Sequence, residues 1–110
     1  MRFLSNAWSA ELKISEEKVM ESFYNALREL GIEPKIFTEG TTFGFLIKEF
    51  RLENGKILVY SYSGKTIIEI GLSGKELKKI ARKFVEKLER KPYGRFDFSE
   101  KKKWEYLIGN

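Results

Sequence analysis

Apolar and polar residues alternate along three consecutive stretches near the middle of the chain: Phe43 to Glu53, Lys56 to Tyr62, and Lys65 to Leu72. A period of two is the mark of a half-buried strand. Asn54-Gly55 separates the first two stretches, and both residue types tolerate the positive φ that a two-residue type I′ turn requires. Ser63-Gly64 separates the second pair. These turns predict a register in which Glu53 faces Lys56 and Phe50 faces Val59, while Tyr62 faces Lys65 and Val59 faces Ile68. Alternation then sorts the side chains onto two faces. One carries Leu46, Phe50, Leu52, Ile57, Val59, Ile68 and Ile70. The other carries Phe43, Phe45, Ile47, Leu58, Tyr60, Tyr62 and Ile67, interrupted by Glu49, Arg51, Lys65 and Glu69. The second face is too apolar for an ordinary solvated surface.

The flanking segments supply the rest of a domain. Residues 6–14 alternate as a strand, with Trp8, Ala10, Leu12 and Ile14 on one side. Ser15 is placed to cap a helix that carries Glu16 and Glu17 in its first turn, where the helix dipole favours negative charge. Val19, Met20, Phe23, Ala26, Leu27 and Leu30 recur at helical spacing, and Gly31 supplies a C-terminal stop. Ile32 to Glu39 reads as an edge strand, because Pro34 cannot donate to a ladder. Ser73 and Glu76 have the spacing of a capping box ahead of a second helix with Leu77, Ile80, Ala81, Phe84, Val85 and Leu88 as its stripe, and Pro92 is expected to stop it. Residues 92–110 carry Tyr93, Phe96, Phe98, Trp104 and Tyr106, too many aromatics for a disordered tail, so this segment is expected to dock.

The fold class expected is therefore α+β. It comprises one antiparallel sheet of four or five strands in the order β-α-β-β-β-β-α, two helices on one face, and a docking tail. The chain is one domain, with its core over residues 6–91. This order resembles one repeat of the TATA-binding-protein-like fold, in which two helices back a curved sheet. The resemblance is one of topology and rests on no shared motif.

Composition narrows the chemistry. The 110 residues contain no Cys and no His, and Asp97 is the single Asp. Disulfides, thiolate nucleophiles, the usual general base and multi-Asp cation loops are all excluded. No metal or cofactor is expected. Lys and Glu abound and Gln is missing, a pattern that resembles hyperthermophile proteins. No apolar run is long enough for a membrane span, and the start Met1-Arg2-Phe3-Leu4 is too short for a secretory signal, so a cytoplasmic protein is expected.

Charge is concentrated in one element. The formal charge is +5, and residues 73–91 hold eight basic and three acidic side chains, which account for all of it. Lys75, Lys79, Lys83, Lys87 and Lys91 recur every fourth residue, widened by Lys78, Arg82 and Arg90. Like charges at that spacing destabilise a helix by roughly 0.2–0.5 kcal/mol per pair. The functional reading is contact with a phosphate backbone through Lys75, Lys78, Lys79, Arg82, Lys83 and Lys87. The structural reading is a solvated face, or pairing with the acidic first helix through Glu16, Glu17, Glu21 and Glu29.

The aromatic outer face admits three uses. Phe43, Phe45, Tyr60 and Tyr62 could stack bases. Together with Trp104 they could form a homodimer or protein interface. Alternatively, Phe96, Phe98 and Trp104 of the tail could cover them. Glu49 and Glu69 share this face with Arg51 and Lys65, where ion pairing is a simpler use of carboxylates than acid–base catalysis. Gly71 to Gly74 precedes a helix without any P-loop pattern. The expectation is a small non-enzymatic module that binds nucleic acid through the Lys-rich helix. The alternative is a homodimerising or protein-interaction domain that uses the outer sheet face and the tail.

Overall fold

The structure is a computed structural model that describes residues 2–109. It is an α+β fold with one five-stranded antiparallel sheet and three helices. The strands are β1 (Trp8–Leu12), β2 (Lys35–Gly40), β3 (Leu46–Leu52), β4 (Gly55–Tyr62) and β5 (Lys65–Gly71). The helices are α1 (Glu16–Glu29), α2 (Gly74–Leu88) and α3 (Phe98–Ile108). Strand order in the sheet is β1-β5-β4-β3-β2, so β1 and β2 form its edges.

Local chemistry explains most element boundaries. The Ser15 hydroxyl accepts from the Lys18 N–H at 3.2 Å and caps α1. Gly31 follows in the left-handed region at φ +75°. Pro34 holds β2 back to Lys35, three residues later than the alternation suggested. The start of α2 departs from the capping-box expectation. Gly74 adopts φ +59° and the Ser73 hydroxyl makes no cap hydrogen bond. The helix also ends earlier than Pro92 would require. Glu89 turns left-handed at φ +61°, its N–H bonded to the Glu86 carbonyl.

One turn differs from the sequence expectation. Leu52 pairs with Gly55, so Glu53-Asn54 forms the turn between β3 and β4, and Phe50 faces Ile57 rather than Val59. Gly55 is required for a different reason. A Cβ there would lie 2.0 Å from the Gly71 carbonyl oxygen, so the glycine permits close approach of β4 to the end of β5. The shift is two residues, an even number, and the two faces keep their membership. At the second turn Ser63 and Gly64 adopt φ +51° and +76°, and Tyr62 faces Lys65 as expected.

The inner face of the sheet packs against all three helices. Phe50, Ile57, Val59, Ile68 and Ile70 meet Val19, Phe23, Ala26 and Leu27 of α1, Ile80, Ala81, Phe84 and Leu88 of α2, and Trp104 and Leu107 of α3. Phe23 stacks on Phe84 at 3.9 Å between ring centroids. The tail does dock, but on the helix side. Trp104 is fully buried and meets Trp8 edge-on at 4.7 Å, so it belongs to the core and is withdrawn from any interface. In the gap beside α2 the indole packs against Trp8 on one side and Phe84 on the other. What covers the outer face is the N-terminal segment: Phe3 and Leu4 pack with Ile47 against buried Leu58, Tyr60 and Ile67.

Candidate interaction surfaces

The cationic helix divides into two halves. Near its C-terminal end, Lys83 reaches Glu29 and Glu86 at 3.1 Å each, and Lys87 also pairs with Glu29. Glu29 is held below its ordinary carboxylate range by hydrogen bonds from Lys87 and then Lys83. Lys83 is correspondingly raised, through Glu86 first and Glu29 second. This half realises the pairing of α2 with acidic α1. In the other half Lys75, Lys78, Lys79 and Arg82 are exposed. Among the described residues, no carboxylate lies within salt-bridge range of these four cations. Arg82 donates instead to the Ile108 carbonyl at 3.2 Å, tying the end of α3 beside α2. Ahead of this half, the Gly71 to Gly74 turn serves as a helix start, with the Leu77 N–H donating to the Ser73 carbonyl at 3.4 Å.

The outer face is mostly closed by hydrogen bonding rather than open for stacking. Glu69 is fully buried there. Its carboxylate accepts from the main-chain N–H of Phe3 at 3.0 Å and of Leu4 at 2.7 Å, and from the Tyr60 hydroxyl. Burial, and then the Glu69 carboxylate, push the Tyr60 phenol far above its ordinary range. Phe3 meets the Tyr60 ring edge-on at 4.9 Å. Tyr60 is therefore a buried member of the second core, not a free stacking platform. Glu49, one row across from Leu58, is held by Arg51 and lies 3.9 Å from Lys56. Glu49 and Glu69 flank Leu58 on opposite sides, so their backbones are roughly 10 Å apart. Each answers to its own partners, an arrangement of structural pairing rather than of a shared proton.

On the sheet and its β2–β3 turn the accessible aromatic residues are Phe37, Phe43 and Tyr62, and in the C-terminal segment Phe96, Phe98 and Tyr106 are exposed as well. Phe43 is 70% exposed and Tyr62 41%, with Phe45 beside Tyr62 at 5.4 Å. On β2 every residue is exposed, including Ile36 and Phe37. The Arg51 guanidinium lies 3.7 Å from the Phe37 ring centroid. Leu46 is exposed as well, although it belongs to the inner face. Among the described residues, neither Leu46 nor any residue of β2 joins the core that the helices form with the sheet. The β2 hairpin was legible as strands, but its exposure depends on where α1 stops covering the sheet.

The opposite edge is finished differently. Lys103 donates to the Ser9 carbonyl at 2.7 Å, and Trp104 closes over Trp8. Burial raises Glu100 above its ordinary range, opposed by Lys103. Among the described residues there is no group of three metal-ligating side chains, and no helix is long and apolar enough to cross a membrane. An open cleft of about 690 Å³ beside the β3–β4 turn is lined by Glu33, Lys35, Phe37, Arg51, Glu53 and Glu76, a mixed-charge set.

No family model, no curated protein and no solved structure matches this chain. The expected resemblance to a TATA-binding-protein-like repeat is therefore supported by no structural neighbour.

Proposed function

We propose that this chain is a small non-enzymatic module that binds the phosphate backbone of nucleic acid through the N-terminal half of α2. The reading is carried by one observation: Lys75, Lys78, Lys79 and Arg82 stay exposed and unneutralised while Lys83 and Lys87 are absorbed by Glu29. A row of like charges costs helix stability, and a polyanion laid along it would reverse that cost. The contact would be sequence-independent, because Lys and Arg contacts to phosphate position the chain without reading bases. The outer sheet face contributes little to it, since Tyr60 is buried and the cations lie on the helix side.

Four phosphate contacts give a slope of log K against log salt of about −3.6, or on the order of a 10²-fold loss of affinity between 50 and 200 mM salt. Fluorescence anisotropy with a single-stranded and a duplex oligonucleotide measures this directly. The triple substitution K75A/K78A/K79A should cut the slope by about 2–3, leaving Arg82 in its contact with α3. A protein that ignores both oligonucleotides at low salt would sink the proposal, as would a triple variant with an unchanged slope.

A further inference from the structure

We infer that β2 is the dimerisation edge of this protein, pairing antiparallel with β2 of a second copy about a two-fold axis at Phe37. The inference is independent of the cationic helix. It starts from an edge strand exposed along its whole length, Lys35 to Gly40, with Ile36 44% and Phe37 40% exposed. Soluble proteins blunt such edges with charges, bulges or a covering element. Here the ladder with β3 runs without a bulge from Lys35–Arg51 to Gly40–Leu46, and among the described residues none of β2 joins the core beneath the helices.

The main-chain groups available for pairing can be identified. At the end of the hairpin the Thr41 N–H donates inward to the Phe45 carbonyl at 3.0 Å. In a regular antiparallel ladder the inward direction alternates. Lys35, Phe37 and Glu39 therefore share the inward direction of Thr41, and the N–H and C=O groups of Ile36, Thr38 and Gly40 point away from the sheet. Pro34, next in that outward series, has no N–H to offer and limits the ladder at one end. Thr41 to Phe45 limits it at the other, closed by the Thr41 hydroxyl accepting from the N–H groups of Phe43 and Phe45 at 3.2 Å.

These limits select both the partner and the register. Outward-pointing residues must face outward-pointing residues, so self-pairing registers differ in steps of two. Centring on Ile36 sets Lys35 against the partner's Phe37. Centring on Thr38 sets Phe37 against the partner's Glu39. Centring on Phe37 sets Lys35 against the partner's Glu39 and Glu39 against the partner's Lys35, with the two Phe37 rings side by side. Ile36 and the partner's Thr38 then exchange main-chain hydrogen bonds, as do Thr38 and the partner's Ile36. Opposite charges and aromatic pairs directly across a ladder are the favourable combinations. The segment Lys35-Ile36-Phe37-Thr38-Glu39 is thus complementary to itself, which an isologous two-fold interface demands. A strand contact of this length falls in the transient class, below about 1,200 Å² in total. The dimer should therefore form and dissolve with concentration.

Sedimentation velocity across roughly 5–500 µM protein tests the inference. The native chain should pass from monomer to dimer over that range. Thr38→Pro removes an outward N–H while leaving the ladder to β3 untouched, and should keep the chain monomeric. Glu39→Lys places like charges across the two-fold and should weaken the dimer tenfold or more. Adding Lys35→Glu to that variant restores opposite charges and should recover the dimer. Hydrogen exchange on the native chain gives a reading free of any substitution: the Ile36 and Thr38 amides should gain protection as concentration rises. A chain that stays monomeric throughout would overturn the inference. So would a dimer that survives Thr38→Pro and leaves those two amides unprotected.

Discussion

β1 and β2 are both edge strands of one sheet, but the chain treats them in opposite ways. Beyond β1, α3 lays Trp104 against Trp8 on the inner face, and Lys103 takes up the Ser9 carbonyl at the strand's open side. On the outer face, Phe3 and Leu4 cover the β5 and β4 rows and fasten to Glu69. Beyond β2 there is neither a helix nor a strap among the described residues, and its residues are exposed on both faces. The difference shows that closing an edge takes a side-chain donor for the backbone as well as apolar cover. The β1 edge has both, and the β2 edge has neither among the described residues.

The largest test of the comparison is Trp104→Ala. Trp104 is fully buried between Trp8 and Phe84, so truncation leaves a large cavity under the β1 edge. A loss of about 3–5 kcal/mol is expected in urea or guanidinium unfolding. Hydrogen exchange should show α3 and β1 opening first, with β2 to β4 less affected. A loss below about 1 kcal/mol would mean that α3 contributes little to the closed edge.

Next in size is Glu69→Ala, which attacks the outer cover instead. It removes the acceptor of the Phe3 and Leu4 N–H groups and of the Tyr60 hydroxyl. A cost of about 1–3 kcal/mol is expected, because the half-buried Phe3 and Leu4 N–H groups lose the acceptor that holds them on the sheet. The amides of Phe3 and Leu4 should lose their exchange protection, and Tyr60 should become accessible to solvent quenchers. Unchanged protection at those amides would show that Phe3 and Leu4 are held by packing alone.

These two covers also mark where sequence reasoning succeeded and where it stopped. Periodicity found both sheet faces, because a turn displaced by one residue moves the pairing register by two, and side-chain alternation survives an even shift. It found the α1 caps and the Ser63-Gly64 turn, since those are short-range chemistry. It also marked the outer face as too apolar for a solvated surface, with cover by the tail as one of three uses. It could not say what the cover is. The tail had the aromatics, yet Trp104 fills the gap beside α2, whereas Phe3 and Leu4 reach Glu69 across 66 and 65 residues of sequence. Four residues at a chain start carry no periodicity. A Glu in an apolar strand, Glu69 between Ile68 and Ile70, was the available sign that something had to come and meet it. The charge ribbon was legible as a whole, but its division at Lys83 depends on which α2 residues lie beside Glu29, and that is a matter of helix packing.

Phe37→Ala is the smallest expected effect and the sharpest form of the contrast, because Phe37 and Trp104 are both aromatic residues beside an edge strand. Phe37 is 40% exposed, and its closest ring contact is the Arg51 guanidinium. An exposed cation–aromatic contact is worth about 0.5–1 kcal/mol. Arg51 would keep its carboxylate partners Glu49 and Glu39 after the ring is gone. Measured in dilute solution, where only the monomer is populated, the substitution should therefore cost no more than about 1 kcal/mol. That is several-fold less than truncating Trp104, although each change removes a large ring. A loss as large as that of Trp104 would mean that the β2 hairpin is packed into the monomer, and the two edges would no longer differ in kind. A small loss in dilute solution that grows with protein concentration would place the ring's stabilising contact in a second copy of the chain.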